Sequence, residues 1–252
     1  MGDFMKKLGG AEKTFVVSGA SSGIGRWVAK TLLDRGFGVL AVSRRLPEID
    51  DSDFFKWVGV DLERSDSSEV LLNSIAEAGL KNIVGAFSNA GSYLSYCHES
   101  SSVCTFEKQF SANFYSHLNF VSAILPSLQD AAGLKSLVFT TTDQIHRVKD
   151  GGAAYAAAKS ALHAYSRSLA VHLAPRKIVV TSVAPGGTDT PLYWATKAGM
   201  SAQQVQGSQT KYPSGSIADP EEVASFVVDL LTKPKMSCVG AEFRIDGGLC
   251  CL

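Results

Sequence analysis

The sequence predicts an α/β protein with one doubly wound parallel sheet, and two observations support this prediction. Short apolar runs rich in β-branched residues alternate with segments whose apolar residues recur at helical spacing, from Thr14 to Ile245. Alternating strands and helices of this kind place parallel strands side by side with helices on both faces. No internal repeat or linker interrupts the alternation, so we expect a single domain over residues 1–252.

The first strand leads directly into a glycine-rich turn. Residues 14–18 form a β-branched apolar run, and Gly19-Ala-Ser-Ser-Gly23-Ile-Gly25 follows it. Apolar residues then recur every four positions, as in a helix, until Gly36. Glycines let backbone N–H groups and a helix N-terminus approach a pyrophosphate, so this segment favours a dinucleotide-binding Rossmann fold. The alternative is a tight strand–helix turn that binds nothing.

The second strand, predicted at residues 38–42, indicates which dinucleotide is bound. An NAD-selective site places Asp or Glu at the end of this strand, where it bonds the ribose 2′-hydroxyl. Here Ser43 stands in that position, and Arg44 and Arg45 follow it. Two arginines suit a 2′-phosphate, so the sequence predicts NADP(H) as the cofactor. The alternative is two solvated arginines at a strand end.

The remaining predicted elements follow in order. Five further strands are predicted at residues 55–60, 82–87, 135–142, 178–183 and 241–245. Four further helices are predicted at residues 67–78, 106–128, 153–173 and 220–232, and the last has Asp219 as its cap and Pro220 in its first position. Residues 1–13 are expected to be flexible. The polar stretch 191–217 is expected to be a loop that acts as a substrate lid.

The composition excludes several classes of protein. The 252 residues carry 24 basic and 24 acidic side chains, so no basic excess indicates nucleic acid or an anionic membrane surface as a partner. The five cysteines form no C-x-x-C pair, which argues against a disulfide framework and a metal site. No apolar run is long enough to span a membrane. We therefore expect a cytoplasmic protein without a metal.

Tyr155 and Lys159 form a candidate acid/base pair. Residues four apart lie on the same face of a helix, so the two side chains point the same way. A nearby ammonium favours the phenolate, so we expect Lys159 to lower the pKa of the tyrosine toward neutral pH. The alternative is an ordinary surface pair. Asn113 lies among apolar neighbours of an earlier helix and needs hydrogen-bond partners there.

The chain resembles the short-chain dehydrogenase/reductase family over nearly its whole length, because several motifs occur in the family's order and spacing. The matching motifs are Gly19-x3-Gly23-Ile-Gly25, Asp61, Asn89-Ala90-Gly91, Asn113, Tyr155-x3-Lys159, Pro185-Gly186 with Thr190, and Asp246-Gly247-Gly248. One departure concerns the catalytic serine that the family usually has thirteen residues before the tyrosine. Thr142 stands at that position here and keeps the hydroxyl donor on a stiffer, β-branched side chain. A milder departure is Ser18, where the family usually has threonine.

The resemblance implies hydride transfer between a nicotinamide and a substrate carbon. Tyr155 would give a proton to the carbonyl oxygen or take it from an alcohol, while Lys159 would lower the tyrosine pKa and bond the ribose hydroxyls. Thr142 would hold the substrate oxygen, and Asn113 would support a water-linked proton path by way of Lys159. On strand alternation Thr141 faces the other side. With NADPH, carbonyl reduction is the expected direction. The rivals are an NAD-linked alcohol dehydrogenase and a catalytically silent dinucleotide sensor or scaffold.

The motifs and the segments that follow them also indicate which residues line the site. Expected cofactor contacts, besides Tyr155 and Lys159, are Gly19, Ser21, Ser22, Gly23, Ile24, Gly25, Ser43, Arg44, Arg45, Asp61, Leu62, Asn89, Ala90, Gly91, Pro185, Gly186, Thr188 and Thr190. Expected substrate contacts are Tyr93, Leu94, Tyr96, Gln144, His146, Tyr193 and Trp194, which favour an apolar or aromatic carbonyl compound. For His146 the alternative is a solvent-facing loop position.

An oligomer is also expected. The predicted helices 106–128 and 153–173 carry more apolar and small residues than one sheet face needs, and family members commonly pair these helices across a two-fold axis. We therefore expect a dimer or tetramer. The alternative is that both helices pack only on their own sheet.

Overall fold

A computed structural model of the chain describes residues 12–50, 52–80, 82–97, 102–147 and 149–252. Residues 1–11 of the predicted flexible N-terminus lie outside the described residues. The strands are β1 (Thr14–Ser18), β2 (Gly38–Ser43), β3 (Phe55–Gly59), β4 (Ile83–Ser88), β5 (Lys135–Thr140), β6 (Ile178–Pro185) and β7 (Glu242–Ile245). They form one parallel sheet in the order β3-β2-β1-β4-β5-β6-β7, which confirms the predicted doubly wound fold.

The helices are α1 (Gly23–Asp34), α2 (Ser67–Glu77), α3 (Val103–Phe110), α4 (Ser116–Asp130), α5 (Ala153–Leu173), α6 (Pro191–Ala195), α7 (Ala202–Gln209) and α8 (Pro220–Thr232). They cover both faces of the sheet because neighbouring strand residues point to opposite faces. On β1, for example, Phe15 packs with Val28 of α1 and Val227 of α8, whereas Val16 packs with Phe120 of α4. The strand order reverses between β1 and β4, which opens a crevice at the carboxyl ends of the strands.

The structure shows why two of the predicted elements differ from their predicted bounds. β5 ends at Thr140, not at 142, because Thr142 leaves the strand and its side chain accepts a hydrogen bond from the Gln144 amide at the start of a 3₁₀ turn. The helix predicted at 106–128 begins at Val103 and is interrupted by a π-helix at Ser111–Tyr115. A π-turn inserts one extra residue and is frequent at functional sites.

Residues 191–217 were predicted as a loop without regular structure, and this is wrong because the segment contains the helices α6 and α7. Its expected role as a substrate lid stays a prediction. The Thr190 hydroxyl accepts the Tyr193 N–H at 3.3 Å and caps α6, with Pro191 in the first helical position. Ser201 and Gln204 form a complete capping box at the start of α7. These local hydrogen bonds outweigh the polar composition on which the loop was predicted.

Candidate active site

A cavity of about 580 Å³ lies at the carboxyl ends of the strands, between the glycine turn after β1 and the segment of α6 and α7. Most of the predicted site residues line this cavity: Gly19, Ser21, Ser22, Gly23, Ile24, Ser43, Arg44, Arg45, Asp61, Leu62, Asn89, Ala90, Gly91, Tyr93, Asn113, Thr142, Gln144, Tyr155, Lys159, Pro185, Gly186, Thr188, Thr190 and Tyr193. Gly25, Leu94, Tyr96, His146 and Trp194 do not.

The glycine turn is shaped for close approach of a ligand to the backbone. Gly19 and Gly23 have φ angles of +67° and +54°, which L side chains rarely adopt. At Gly25 an added Cβ would lie 2.3 Å from the Gly19 carbonyl oxygen, so this glycine packs helix α1 against the turn and does not line the cavity. The open backbone at the start of α1 fits a dinucleotide pyrophosphate.

The end of β2 is held by a short hydrogen-bond network. The Ser43 hydroxyl donates to the Arg45 carbonyl at 2.6 Å and accepts from Trp57 Nε1 at 3.1 Å. Arg44 lies 3.8 Å from Glu63 in a pair whose arginine side chain is 66% exposed. Ser43 brings no negative charge to this wall, and Arg44 and Arg45 both line it.

Tyr155 is buried, with 8% of its surface exposed, and its phenol borders the cavity. Burial raises the pKa of Tyr155 well above its ordinary value; a hydrogen bond with Thr142 opposes this rise, and Asp143 and Tyr93 add to it. Lys159 does not contribute to this shift, so the expected lowering of the tyrosine pKa by Lys159 is not found. The phenol is protonated at neutral pH.

The reason is the position of the Lys159 ammonium. Its Nζ donates to the Thr140 carbonyl at 2.9 Å and lies 3.3 Å from His117 Nε2. Burial lowers the pKa of Lys159 to about 7, so the side chain carries only part of its charge at neutral pH. Helical spacing correctly places Tyr155 and Lys159 on one face, but it does not reveal the competing partners of the amine.

His117 is a site residue that the sequence analysis missed. It is buried, and its Nδ1 lies 2.7 Å from the Ser88 hydroxyl while its Nε2 faces Lys159. Burial, and then the Lys159 charge, hold the pKa of His117 well below its usual value, so the ring is neutral. When Lys159 is charged, Nε2 accepts its hydrogen bond and Nδ1–H donates to Ser88. One signal in the sequence could have identified His117: it follows the predicted site residue Asn113 by four positions, the spacing of neighbours on a helix face.

Thr142 is buried beside Tyr155, as the resemblance implies. Its hydroxyl also lies within hydrogen-bond distance of the Asp143 carboxyl, at 3.1 Å, and of the Gln144 amide, at 3.4 Å. Burial raises the pKa of Asp143, an acid that the sequence analysis did not single out. The Thr141 hydroxyl binds elsewhere, 3.0 Å from the Val183 carbonyl oxygen and 2.9 Å from the Glu242 carboxylate.

Asn113 lies in the π-helix and ties it to the turn after β4. Its amide donates to the Ser92 carbonyl at 2.8 Å and to the Gln109 carbonyl at 3.1 Å, and its oxygen accepts the Ser92 N–H at 3.2 Å. An added Cβ at Gly91 would lie 2.7 Å from the Asn113 oxygen, which accounts for the glycine. The side chain therefore positions the turn next to Lys159.

The end of the cavity lined by the predicted substrate contacts Tyr93, Gln144 and Tyr193 carries two buried polar atoms with no hydrogen-bond partner among the described residues, Gln144 Oε1 and Tyr193 Oη. Tyr93 stacks edge-on against Tyr155 at a centroid distance of 5.3 Å. Tyr212, which the sequence analysis missed, accepts the Gly187 N–H at 3.0 Å and closes the opposite wall.

Four predicted substrate residues lie elsewhere. His146 turns toward the sheet edge, where its ring binds Glu242 on β7. Trp194 donates to Asp189 at 2.6 Å and is 43% exposed. Leu94 is exposed, and the Tyr96 ring packs on Phe106.

In the described part of the chain, no group of three or more His, Cys, Asp or Glu residues is arranged to hold a metal ion. None of the described helices is both long and apolar enough to cross a membrane.

The fold and the site define a class of protein, the dinucleotide-dependent oxidoreductases, and comparison with known proteins assigns the family. The family described as enoyl-(acyl carrier protein) reductase matches residues 19–250. The chain therefore belongs to that family and, with it, to the short-chain dehydrogenases/reductases. It is therefore an oxidoreductase of the short-chain dehydrogenase/reductase type, a family that binds a nicotinamide dinucleotide.

The relatives cover the whole fold. A cis-4-hydroxycyclohexanecarboxylate dehydrogenase of Sinomonas cyclohexanicum is 29% identical, over 94% of this chain and 96% of that protein. The L-xylulose reductase of Bos taurus is 27% identical, also over 94% and 96%. A crystal structure of a short chain dehydrogenase family protein from Francisella tularensis matches with a TM-score of 0.85 at 27% identity, over 96% of this chain and 100% of that one.

Proposed function

We propose that this protein is an NADPH-dependent reductase of ketones or aldehydes. The observation that carries the proposal is the buried phenol of Tyr155, which borders the cavity beside Thr142 and whose pKa is raised. A protonated phenol is an acid, and carbonyl reduction needs an acid next to the carbonyl oxygen. In the reverse reaction the same residue, as phenolate, would take the proton from an alcohol.

The residues for the cofactor lie along one wall of the cavity. The glycine turn from Gly19 to Gly25 would bind the pyrophosphate, and Asp61 the adenosine side. Thr190 would close over the same turn, because an added Cβ at Gly23 would lie 3.2 Å from its methyl group. When bound, the nicotinamide supplies the hydride. Lys159 would bond the nicotinamide ribose.

The preference for NADPH rests on the end of β2. Ser43 brings no negative charge there, and Arg44 and Arg45 line the wall. The pair of Arg44 with Glu63 is long and solvent-exposed, so it is weak enough for a phosphate to replace it. A guanidinium then gains a charge-assisted hydrogen bond.

In the proposed reaction the substrate oxygen is held by two hydroxyl groups, those of Thr142 and Tyr155. Thr142 donates a hydrogen bond to the oxygen as negative charge develops on it, and Tyr155 transfers its proton. The proton on Tyr155 would be replaced from solvent by way of Lys159, and His117, bound to Ser88, would hold the amine. Asn113 keeps the adjoining turn in place.

A panel of aromatic, cyclic and linear ketones and aldehydes, assayed by consumption of NADPH and of NADH, tests the proposal. We expect turnover with NADPH and a clear preference over NADH. Equal use of both cofactors would support the NAD-linked alternative. Tight NADPH binding without turnover of any member would support the silent sensor or scaffold.

A further inference from the structure

Four basic side chains line the substrate end of the cavity: Arg147, Lys149, Lys197 and Lys211. The first two follow β5, and the last two belong to the segment that carries α6 and α7. The chain as a whole has equal numbers of basic and acidic side chains, so this concentration is local. We call these four residues the basic cluster.

None of the four forms an ion pair with another residue in the described ranges. Two of them lie over aromatic rings of the cavity wall instead. Lys149 Nζ is 5.6 Å from the centre of the Tyr93 ring, and Lys197 Nζ is 5.1 Å from that of Tyr193. Cation–π contacts hold the ammonium groups near the cavity while leaving their hydrogen-bond donors free.

The positive charges of the basic cluster are not balanced by nearby acids. The pKa of Lys197 is lowered by burial and then by repulsion from Lys149 and Lys211. Asp143 is the acid that lines this end, and Arg147 and Lys149 act on its carboxyl from a distance that forms no ion pair. Asp150, which acts on Tyr93, and Asp246, which acts on Asp143, also lie near this end, so the four bases outnumber the acids and an anion that enters relieves repulsion among the bases.

We propose that the substrate is an oxo acid, a carbonyl compound whose carboxylate is held by the basic cluster while its carbonyl oxygen meets Tyr155. This inference rests on the proposed function. The Tyr155 and Tyr93 ring centres are 5.3 Å apart and Lys149 Nζ lies 5.6 Å beyond the second, so the ammonium is at most 10.9 Å from the Tyr155 ring centre. A molecule with one ring between carbonyl and carboxylate fits within that bound.

The cluster is placed apart from the expected cofactor phosphates. Those phosphates belong at the glycine turn and at Arg44, where the first two strands end. Lys149 lies over the ring of Tyr93, and that ring packs edge-on against the ring of Tyr155. The cluster therefore selects substrate and leaves cofactor affinity unchanged.

The first test uses ketones in matched pairs of carboxylate and methyl ester, with 4-acetylbenzoate and methyl 4-acetylbenzoate as the aromatic pair and cyclic and linear pairs beside it. We expect kcat/KM to be about 10-fold or more higher for the acid than for its ester in the pairs that are reduced, since each lysine contributes about 3- to 10-fold. Added salt lowers kcat/KM of the acid and not of the ester.

The second test uses Lys149→Gln and Lys197→Gln, with Lys30→Gln as the matched control. Lys30 also lies over an aromatic ring, 5.1 Å from the centre of Trp27, but it does not line the cavity. The two cluster variants should each lose about 3- to 10-fold in kcat/KM for the acid and change little for the ester. The control variant should keep the parent kcat/KM for acid and ester, and all three variants should keep the parent Kd for NADPH.

The outcomes separate the two proposals. The oxo-acid proposal is wrong if esters are reduced as well as acids, or if the lysine variants lose kcat/KM equally for acid and ester. In either case the proposal of a reductase stands. A loss of NADPH affinity in the lysine variants assigns the cluster to the cofactor and also overturns the oxo acid. If no acid or ester of any pair is reduced with either cofactor, the proposed function fails, and this inference fails with it.

Discussion

Two hydroxyl groups meet where the carbonyl oxygen would bind, and the one on Thr142 is the less usual of the two. Its methyl group restricts χ1, whereas its oxygen is the part that acts on Tyr155. Thr142→Ser should keep or raise turnover, because it frees χ1 and retains the donor. Thr142→Val keeps the shape without the donor and should lower kcat by about 10²-fold. Steady-state kinetics with NADPH check both, and parent-like turnover of the valine variant would make Thr142 structural.

His117 supports Lys159 from inside the core, and removing its acceptor should change the pH dependence of cofactor binding. The neutral Nε2, 3.3 Å from Nζ, stabilises the ammonium form. In His117→Leu the alkaline limb of kcat/KM for NADPH should therefore move to lower pH. His117→Gln retains an acceptor and should restore part of the shift.

Ser88→Ala serves as the control for His117, because it removes the partner of the other ring nitrogen and leaves Nε2 in place. If His117 were only structural, its replacement would lower protein yield or stability without moving the alkaline limb of kcat/KM. An alkaline limb at the same pH in His117→Leu and in the parent would contradict the proposed support of Lys159 by His117.

The buried amine of Lys159 should also be visible in the stability of the cofactor-free protein. Its pKa is about 7 in the folded state and 10.5 ordinarily, so between these values the unfolded state binds more protons. Stability contributed by this residue therefore rises with pH across that window, by at most about 1.4 kcal/mol per pH unit. Denaturant unfolding from pH 7 to pH 9 should show this rise relative to Lys159→Met. Parallel curves for the two proteins would contradict the lowered pKa.

At the residue scale, local spacing predicts what lies on one helix and cannot predict what packs across elements. Tyr155 and Lys159 are four residues apart, and their common face follows from helix geometry. His117 reaches Lys159 across 42 residues of sequence, and only the tertiary packing of α4 against the sheet brings the two together. The same limit applies to the tyrosine pKa, because burial is a property of the folded molecule.

At the scale of elements, the turn that ends β2 sets the cofactor preference. Removing one charge-assisted contact to a 2′-phosphate should cost about 1.5–3 kcal/mol, and NADH has no such phosphate. Arg44→Ala should therefore weaken NADPH binding about 10-fold or more and leave NADH binding nearly unchanged. Titration of both cofactors by fluorescence measures this difference. Equal affinities in the parent protein would overturn the preference.

Strands and capped helices could be predicted from the sequence because their signals are local. The β-branched runs gave the seven strands to within a few residues, and Asp219 with Pro220 marked the start of α8, where the Asp219 carboxylate accepts the Glu221 N–H at 2.8 Å. The π-helix around Asn113 was not predictable, since it depends on hydrogen bonds to Ser92 in another segment. The helix α7 was predictable from its capping box, which the polar composition concealed.

At the scale of the whole molecule, the two long helical segments leave apolar side chains on the surface. Tyr115 at the end of the π-helix is 53% exposed, and Val171 near the end of α5 is 76% exposed. These side chains lie on the segments that we expect to pair between two chains. Isolated exposed apolar residues are ordinary, so association has to be measured in solution.

We predict a dimer or tetramer that depends on these helices. A stable interface buries about 800 Å² on each partner, and a charge placed inside it remains without a partner. Tyr115→Arg combined with Val171→Arg should therefore shift the protein toward monomer in light scattering at micromolar concentration. Leu72→Arg is the matched control, because Leu72 is a 39% exposed apolar residue on α2, outside both helices. A monomeric parent protein, or a double variant that associates as the parent does, would show that the helices pack only on their own sheet.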